Sequence, residues 1–294
     1  MAQGKLRFAL FGNIYQGKKS ASIQEVLSSI SRHEAELYVD MEYYYFLKDN
    51  QRLDIKATKL FTDDDFDADF VISMGGDGTF LKAASRVGAK SIPILGVNVG
   101  RLGFLADISP EQIDTTLEAI YRDDFFLESR TLIQVEADGK PLSGYPCALN
   151  DVAILKRDSA SMISIRANIN GQYLHTYQAD GLIVSTPTGS TAYSLSNGGP
   201  IIVPGTTVFS MTAVAPHSLN VRPFVLPDSS VIELEVESRS HNFLVAIDGR
   251  SEKCAEGTKL TLRRAPYDIK VFKRSDHRYF NSLREKMMWG ADTR

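Results

Sequence analysis

Three glycines in four positions surround one carboxylate in Gly75-Gly76-Asp77-Gly78-Thr79. The apolar run Phe70-Val71-Ile72 precedes them and reads as a buried strand. Phe80-Leu81-Lys82-Ala83-Ala84 follows and reads as the start of a helix. Glycine lets backbone approach a ligand closely, and the N–H groups that open a helix favour anions, phosphate above all. A carboxylate inside such a cradle is costly unless it binds a metal, takes a proton or accepts a substrate hydroxyl. A tight strand-to-helix turn with an Asp cap would explain an isolated Gly-Asp-Gly without any ligand.

A second stretch suited to ligand binding is Asp180-Gly181-Leu182-Ile183-Val184-Ser185-Thr186-Pro187-Thr188-Gly189-Ser190-Thr191-Ala192-Tyr193. A buried strand there runs into a loop dense in hydroxyls and glycine, then into a helix expected from about Thr191. Such a loop offers N–H groups and hydroxyls to a polar ligand without adding charge, and Tyr193 could lay its ring near a base. Ser/Thr-Pro-Gly stretches are also common turns, and a single Tyr is more often packing than binding.

The elements that position these stretches follow from periodicity. Arg7 to Phe11 and Glu36 to Val39 read as strands, Ser22 to Ile30 as a helix with capping-box spacing, and Glu42 to Lys48 as a short helix. Ile92 to Val97 is another buried strand. It opens into Asn98-Val99-Gly100-Arg101-Leu102-Gly103-Phe104-Leu105, again glycine-rich at a strand end, and Ser109 to Arg122 reads as a capped helix. Strands alternating with helices predict an open, mostly parallel sheet whose ligands sit beyond the carboxyl ends of the strands. Near Phe125 the rhythm becomes β. Asn170-Gly171 between Ile163–Ile169 and Tyr173–Tyr177 is a hairpin signal, and further strands are expected at 182–185, 209–215, 231–236, 243–247 and 259–262. Helical spacing returns at Tyr279, Leu283 and Met287. The expected organisation is an α/β domain over 1–124, a β-rich layered-sheet domain over 125–266, and a segment, 267–294, that packs back on the first domain.

The 294 residues suffice for two cored domains, and the formal net charge of −3 points to neither nucleic acid nor membrane. Cys147 and Cys254 are the only cysteines and lack metal-ligand spacing. The chain start leads straight into a strand and no apolar run approaches membrane-spanning length, so a cytoplasmic protein is expected. There is no Walker A loop, no Gly-x-Gly-x-x-Gly fingerprint and no Gly-x-Ser-x-Gly elbow.

These motifs together resemble the NAD kinase family. Gly75–Thr79 matches a signature that family shares with diacylglycerol-type lipid kinases and, loosely, 6-phosphofructokinases. Asn98–Leu105 matches the Asn-x-Gly-x-Leu-Gly-Phe-Leu pattern. Asp180–Tyr193, continuing to Ser196-Asn197-Gly198-Gly199-Pro200, resembles the family's most specific stretch, and Pro216-His217 and Arg222-Pro223 also fit. The resemblance runs from about residue 70 to the C-terminus.

It implies an α/β domain joined to a β-rich domain with NAD held between them. The reaction implied is transfer of the terminal phosphoryl group of ATP, or another donor such as polyphosphate, to the 2′-hydroxyl of the adenosine ribose. Asp77 would receive the hydroxyl proton, Gly75, Gly76, Gly78 and Thr79 would cradle phosphates, and Lys82 would reach one. Asn150 and Asp151 would bind the nucleotide, and Asp180 would contact NAD across the interface. Thr191, Ala192, Tyr193, Ser194, Leu195 and Ser196 would line the adenine side. Gln178, Ala215 and Arg250 complete the implied NAD contacts. A divalent ion, expected to be Mg²⁺, would screen the triphosphate, and a homodimer or homotetramer is implied. The alternatives are a lipid or other small-molecule kinase with the same glycine loop, or a non-catalytic NAD(P) sensor.

Overall fold

A computed structural model describes residues 5–15, 20–100, 103–157 and 161–288. Met1–Gly4, Arg101 and Leu102 of the second glycine stretch, and the last residues of the 267–294 segment lie outside them. The chain divides into two compact units, one of residues 1–128 and 269–294, the other of residues 129–268.

The first unit is built on a seven-stranded sheet in the order Lys59–Phe61, Glu36–Asp40, Arg7–Gly12, Phe70–Gly75, Ile94–Asn98, Ile269–Arg274, Phe125–Arg130. Pairing is parallel from the first of these through the sixth. Phe70–Gly75 and Ile94–Asn98 are buried along their whole lengths, which is why they read as continuous apolar runs and not as alternating ones. Their register sets Gly75 beside Asn98, so both glycine stretches leave the sheet at neighbouring carboxyl ends. The Ile269–Arg274 strand was not foreseen. Lys270, Lys273 and Arg274 mask its alternation, yet Ile269, Val271 and Phe272 are buried in the sheet.

The helix Asp77–Val87 packs on the sheet through Phe80, Ala83, Ala84 and Val87. Arg86, on the same helix, is also buried. It donates to Asp40 at 2.9 Å and Asp64 at 3.2 Å, and its guanidinium lies over the Phe11 and Phe61 rings. A cation held by a buried carboxylate and two ring faces fixes the helix against the end of the Glu36–Asp40 strand. Pro110–Gln112 and Ile113–Tyr121 form the helix expected after Ser109, with both hydrogen bonds of the capping box present. Among the described residues no helix is long and apolar enough to cross a membrane.

The second unit layers two antiparallel sheets over a shared core that includes Ile154, Leu182, Phe209, Phe243, Leu234 and Leu260. One sheet runs Phe224–Pro227, Val208–Val214, Gly181–Ser185, Asp151–Lys156, Asn242–Ile247, Arg250–Ala255. The other is led by the Ile163–Ile169 and Gln172–Ala179 hairpin, whose Asn170 and Gly171 both take positive φ, at 51° and 76°. That geometry suits a right-twisted two-residue turn and explains the Asn-Gly pair.

Removing the Arg86 cation leaves Asp40 buried without its partner. We expect Arg86→Met to lower unfolding free energy by about 3 kcal/mol, read from the midpoint of urea denaturation. A loss under 1 kcal/mol would mean that this ion pair does not anchor the helix.

Candidate active site

Gly76 caps the Asp77–Val87 helix in extended conformation, and its carbonyl accepts the Thr79 and Phe80 N–H groups. Gly75 has a packing reason: a Cβ there would stand 2.2 Å from the Thr79 hydroxyl oxygen. Gly76 and Gly78 do not, since a Cβ at either would meet nothing within 4 Å. Their bare backbone faces open space at a helix N-terminus, as a phosphate cradle requires.

The Asp77 side chain turns to the second glycine stretch. Its carboxylate accepts the N–H of Phe104 at 2.9 Å and those of Leu105 and Ala106 at 3.0 Å. The loop can come this close because two glycines lack side chains. A Cβ on Gly103 would lie 2.0 Å from Asp77 Oδ1, and one on Gly96 would lie 2.5 Å from the Leu105 carbonyl oxygen. Asn98 N–H donates to Ile108 O at 2.8 Å, holding the loop's exit along its parent strand. Among the described residues two bonds reach Oδ1 and one reaches Oδ2, of about four lone-pair directions on the carboxylate. Lys82 sits further along the helix and pairs with Glu42 at 3.1 Å in solvent.

In the second unit a different carboxylate organises the site residues. Asp248 accepts the N–H groups of Leu149 (2.8 Å), Asn150 (2.8 Å) and Asp151 (3.2 Å). The Asn150 carbonyl in turn accepts the Thr186 N–H at 2.9 Å, and a Cβ on Gly189 would meet that oxygen at 2.1 Å. The Thr188–Thr191 turn and the short Tyr193–Ser196 helix are thereby seated beside Asn150 and Asp151. The helix begins at Tyr193, two residues later than expected. Asn150 Oδ1 is buried with no hydrogen-bond partner among the described residues, an exception among buried polar groups. Burial, reinforced by the Asp248 charge, pushes Asp151 up to about 7, against a Tyr193 N–H bond that works the other way. Burial also raises Asp248, opposed by its three N–H bonds and Arg250. Arg250 donates to Ile247 O and stacks over Tyr145 at 5.4 Å. Asp248 escaped the sequence reading. The signal was there in Asp248-Gly249, a turn dipeptide of the same kind as Asn170-Gly171.

The structure separates these residues from Asp180. Asp151 pairs with Ser185 and Leu155 with Gly181, so Asp151 and Asp180 stand at opposite ends of one strand pair, roughly 17 Å apart at 3.3 Å per residue. At the far end Asp180 is bound by Lys156 at 2.7 Å, and its N–H donates to Val214 O. Gln178 lies nearby: it donates to Ser164 Oγ at 3.0 Å, and its carbonyl accepts the His217 N–H. Ala215 completes this second group with φ at 43°, a conformation uncommon for alanine. The Tyr193–Ser196 helix runs back over the sheet towards it, for Ser194 Oγ lies 3.1 Å from Thr212 Oγ1 and Thr212 pairs with Ile183. Tyr193 and Ser196 are exposed, while Thr191, Ala192 and Leu195 are half-buried.

A parallel sheet whose glycine turns meet around a carboxylate, in one chain with a β-rich unit of two layered antiparallel sheets, is an architecture compatible with a nucleotide-handling kinase. The family models agree in detail. Residues 17–125 match the ATP-NAD kinase N-terminal domain, and residues 149–273 match the ATP-NAD kinase C-terminal domain. The chain is 60% identical over 289 residues to an NAD kinase of Bacteroides fragilis, covering 98% of this chain and 100% of that one. It is 43% identical over 290 residues to an NAD kinase of Porphyromonas gingivalis, covering 98% and 99%. In fold it resembles a yeast NADH kinase complexed with NADH (TM-score 0.87, 22% identity, 100% and 90% covered). It also resembles an Archaeoglobus fulgidus NAD kinase in complex with ATP (TM-score 0.75, 25% identity, 96% and 99% covered). The chain belongs to the NAD kinase family.

The raised Asp151 carries a pH signature. A carboxyl whose folded value lies near 7, against an unfolded value near 3.8, adds stability that is present below pH 4 and is lost as pH rises through 7. Asp151→Asn removes that dependence. Relative to the parent, the variant should gain about 2–3 kcal/mol in unfolding free energy between pH 5 and pH 8. Urea denaturation at both pH values measures it, and parallel profiles would refute the burial argument.

Proposed function

We propose that the protein transfers the terminal phosphoryl group of ATP to the 2′-hydroxyl of the adenosine ribose of NAD, giving NADP. The observation that carries this reading is the Asp77 carboxylate, oriented by three backbone N–H groups at the mouth of an open glycine cradle. Phosphoryl transfer asks a protein mainly to position the reacting groups and to neutralise charge. Gly76, Gly78 and the first N–H groups of the helix hold phosphate, Gly75 and Thr79 shape the turn beneath, and Asp77 takes the hydroxyl proton through its remaining lone pair. General base assistance of this kind is worth about 10²–10⁴-fold. Lys82 is an exposed cation one turn beyond and reaches a phosphate by exchanging its Glu42 partner for it.

Asn150 and Asp151 bind the nucleotide. The unpartnered Asn150 oxygen supplies an acceptor, and Asp151, near neutrality, can either donate to or accept from a sugar hydroxyl. Thr191, Ala192, Tyr193, Ser194, Leu195 and Ser196 form the adenine side, with the exposed Tyr193 ring as its flat surface. Asp180, Gln178, Ala215 and Arg250 make the remaining NAD contacts. Mg²⁺ enters on the triphosphate as MgATP. Among the described residues no group of three or more metal-ligating side chains occurs, which suits an ion that keeps water and phosphate ligands.

Two broader features belong to the same reading. Cys147 and Cys254 are free thiols, in keeping with a cytoplasmic protein. Phe224 and Val225 are exposed on an edge strand, a surface suited to assembly into a homodimer or homotetramer.

Purified protein supplied with ATP, Mg²⁺ and NAD should form NADP in a coupled assay. Asp77→Asn should retain the fold by circular dichroism and lose about 10²-fold or more in kcat. Gly103→Ala, which drives a methyl group into the Asp77 carboxylate, should lose kcat in the same direction. Near-parental turnover in Asp77→Asn would remove that carboxylate from the reaction.

A further inference from the structure

Lys286 is the unusual cation of the first unit. It lies on the Tyr279–Met287 helix, and its Nζ is buried with no hydrogen-bond partner among the described residues. The ammonium stands over the Phe104 ring at 5.0 Å from the centroid. Phe104 opens the run of three residues whose N–H groups hold Asp77. Burial makes the charged form of Lys286 costly and lowers its proton affinity, while the carboxylates Asp107, Asp77 and Glu285 favour the charge and Lys273 opposes it.

The neighbouring charges sort themselves. Asp107 is taken: Lys273 donates to it, and His277 Nε2 lies 3.2 Å away. Glu285 is exposed to solvent, where its influence is screened. Asp77 is then, among the described residues, the carboxylate in the field of Lys286 with no cation paired to it, and the Phe104 loop is its hydrogen-bonding support. A buried ammonium with nothing to donate to needs a reason, and an aromatic face with a carboxylate behind it supplies one.

We propose that Lys286 is a positioning residue for Asp77: its ammonium, seated on the Phe104 ring, clamps the 104–106 amides onto the carboxylate and provides its counter-charge. The inference rests on the phosphoryl-transfer reading above, in which Asp77 handles the acceptor hydroxyl. Lys286 touches no reacting atom. It acts through the ring it covers, and a shift of about 1 Å in a group that orients a base is enough to cost on the order of 10²-fold in rate.

The test uses the full chain and three variants. Lys286→Met keeps the length and removes the charge, Lys286→Arg keeps a cation able to stack on the ring, and Phe104→Leu removes the ring face. Lys286→Met should lower kcat by about 10–100-fold with KM for NAD and for ATP within about threefold of the parent. In the same variant the amides of Phe104, Leu105 and Ala106 should exchange hydrogen faster than in the parent. Lys286→Arg should recover kcat to within about fivefold of the parent. Unchanged kcat in Lys286→Met, a rise in KM with kcat preserved, or no recovery in Lys286→Arg would each overturn the proposal. Should Lys286→Met fail to fold, Phe104→Leu is expected to show the same loss of kcat, and normal turnover there would overturn it equally. If the parent itself forms no NADP, the reaction assigned to Asp77 is wrong. The amide exchange still reports whether Lys286 clamps the loop.

Discussion

The first unit depends on one carboxylate meeting three backbone amides. Asp77 is negative, sits at a helix N-terminus, and has its orientation set by Phe104, Leu105 and Ala106. Every neighbouring choice of residue serves that meeting. Gly96 and Gly103 give up side chains so that the loop can approach, and Gly75 makes room for Thr79 beneath the turn. Arg86, one helical face away, ties the helix to the Glu36–Asp40 strand, so the carboxylate is fixed at both its backbone and its side chain. Hydrogen bonds to a charged acceptor are among the stronger ones proteins make, and three of them leave Asp77 little rotational freedom.

The β-rich unit uses the same device for another end. Asp248 also gathers three consecutive amides, those of Leu149, Asn150 and Asp151. There the carboxylate is a brace inside a strand-pair turn, with its own N–H returned to the Asp151 carbonyl at 3.0 Å. The brace brings a negative charge close to Asp151, and that, added to burial, is why Asp151 holds its proton up to neutrality. One structural carboxylate thereby adds to the effect of burial on a second carboxyl remote from it in the chain. A carboxyl able to donate as well as accept near neutrality is here a consequence of the scaffold and not of Asp151 alone.

Much of this was legible in the residues. Buried runs bounded by glycine gave the central strands of the parallel sheet, and Asn170-Gly171 gave the hairpin. What escaped was whatever depends on partners remote in the chain. Ile269–Arg274 joins the sheet among strands formed from the chain's first half, and its lysines and arginine hide the apolar alternation that would have revealed it. Asp248 acts on Leu149–Asp151, about a hundred positions earlier, and Lys286 lies against a ring far upstream. No local pattern encodes such meetings; only the register of the sheets brings them about. The hydroxyl-rich stretch reads in the sequence as one candidate ligand loop, but in the structure its parts divide. Asp180 and Tyr193 belong to one motif, yet a fully extended strand intervenes and Lys156 binds the Asp180 carboxylate.

Asp77 and Asp248 differ in setting although both are held by the same number of amides. Asp248 sits where the polypeptide closes on itself: its turn continues the Asn242–Ile247 strand into Arg250–Ala255, and its charge is answered by Arg250. Asp77 sits where the polypeptide opens. The glycines on either side of it face nothing within 4 Å. Lys286, whose charge feels that of Asp77, lies over the Phe104 ring. Amides fix the direction of both carboxylates, but only Asp77 is flanked by glycines at a helix N-terminus, where an added Cβ would meet nothing within 4 Å. Rigid amide support beside an open glycine turn is the arrangement on which the proposed role of Asp77 as base for an incoming hydroxyl rests.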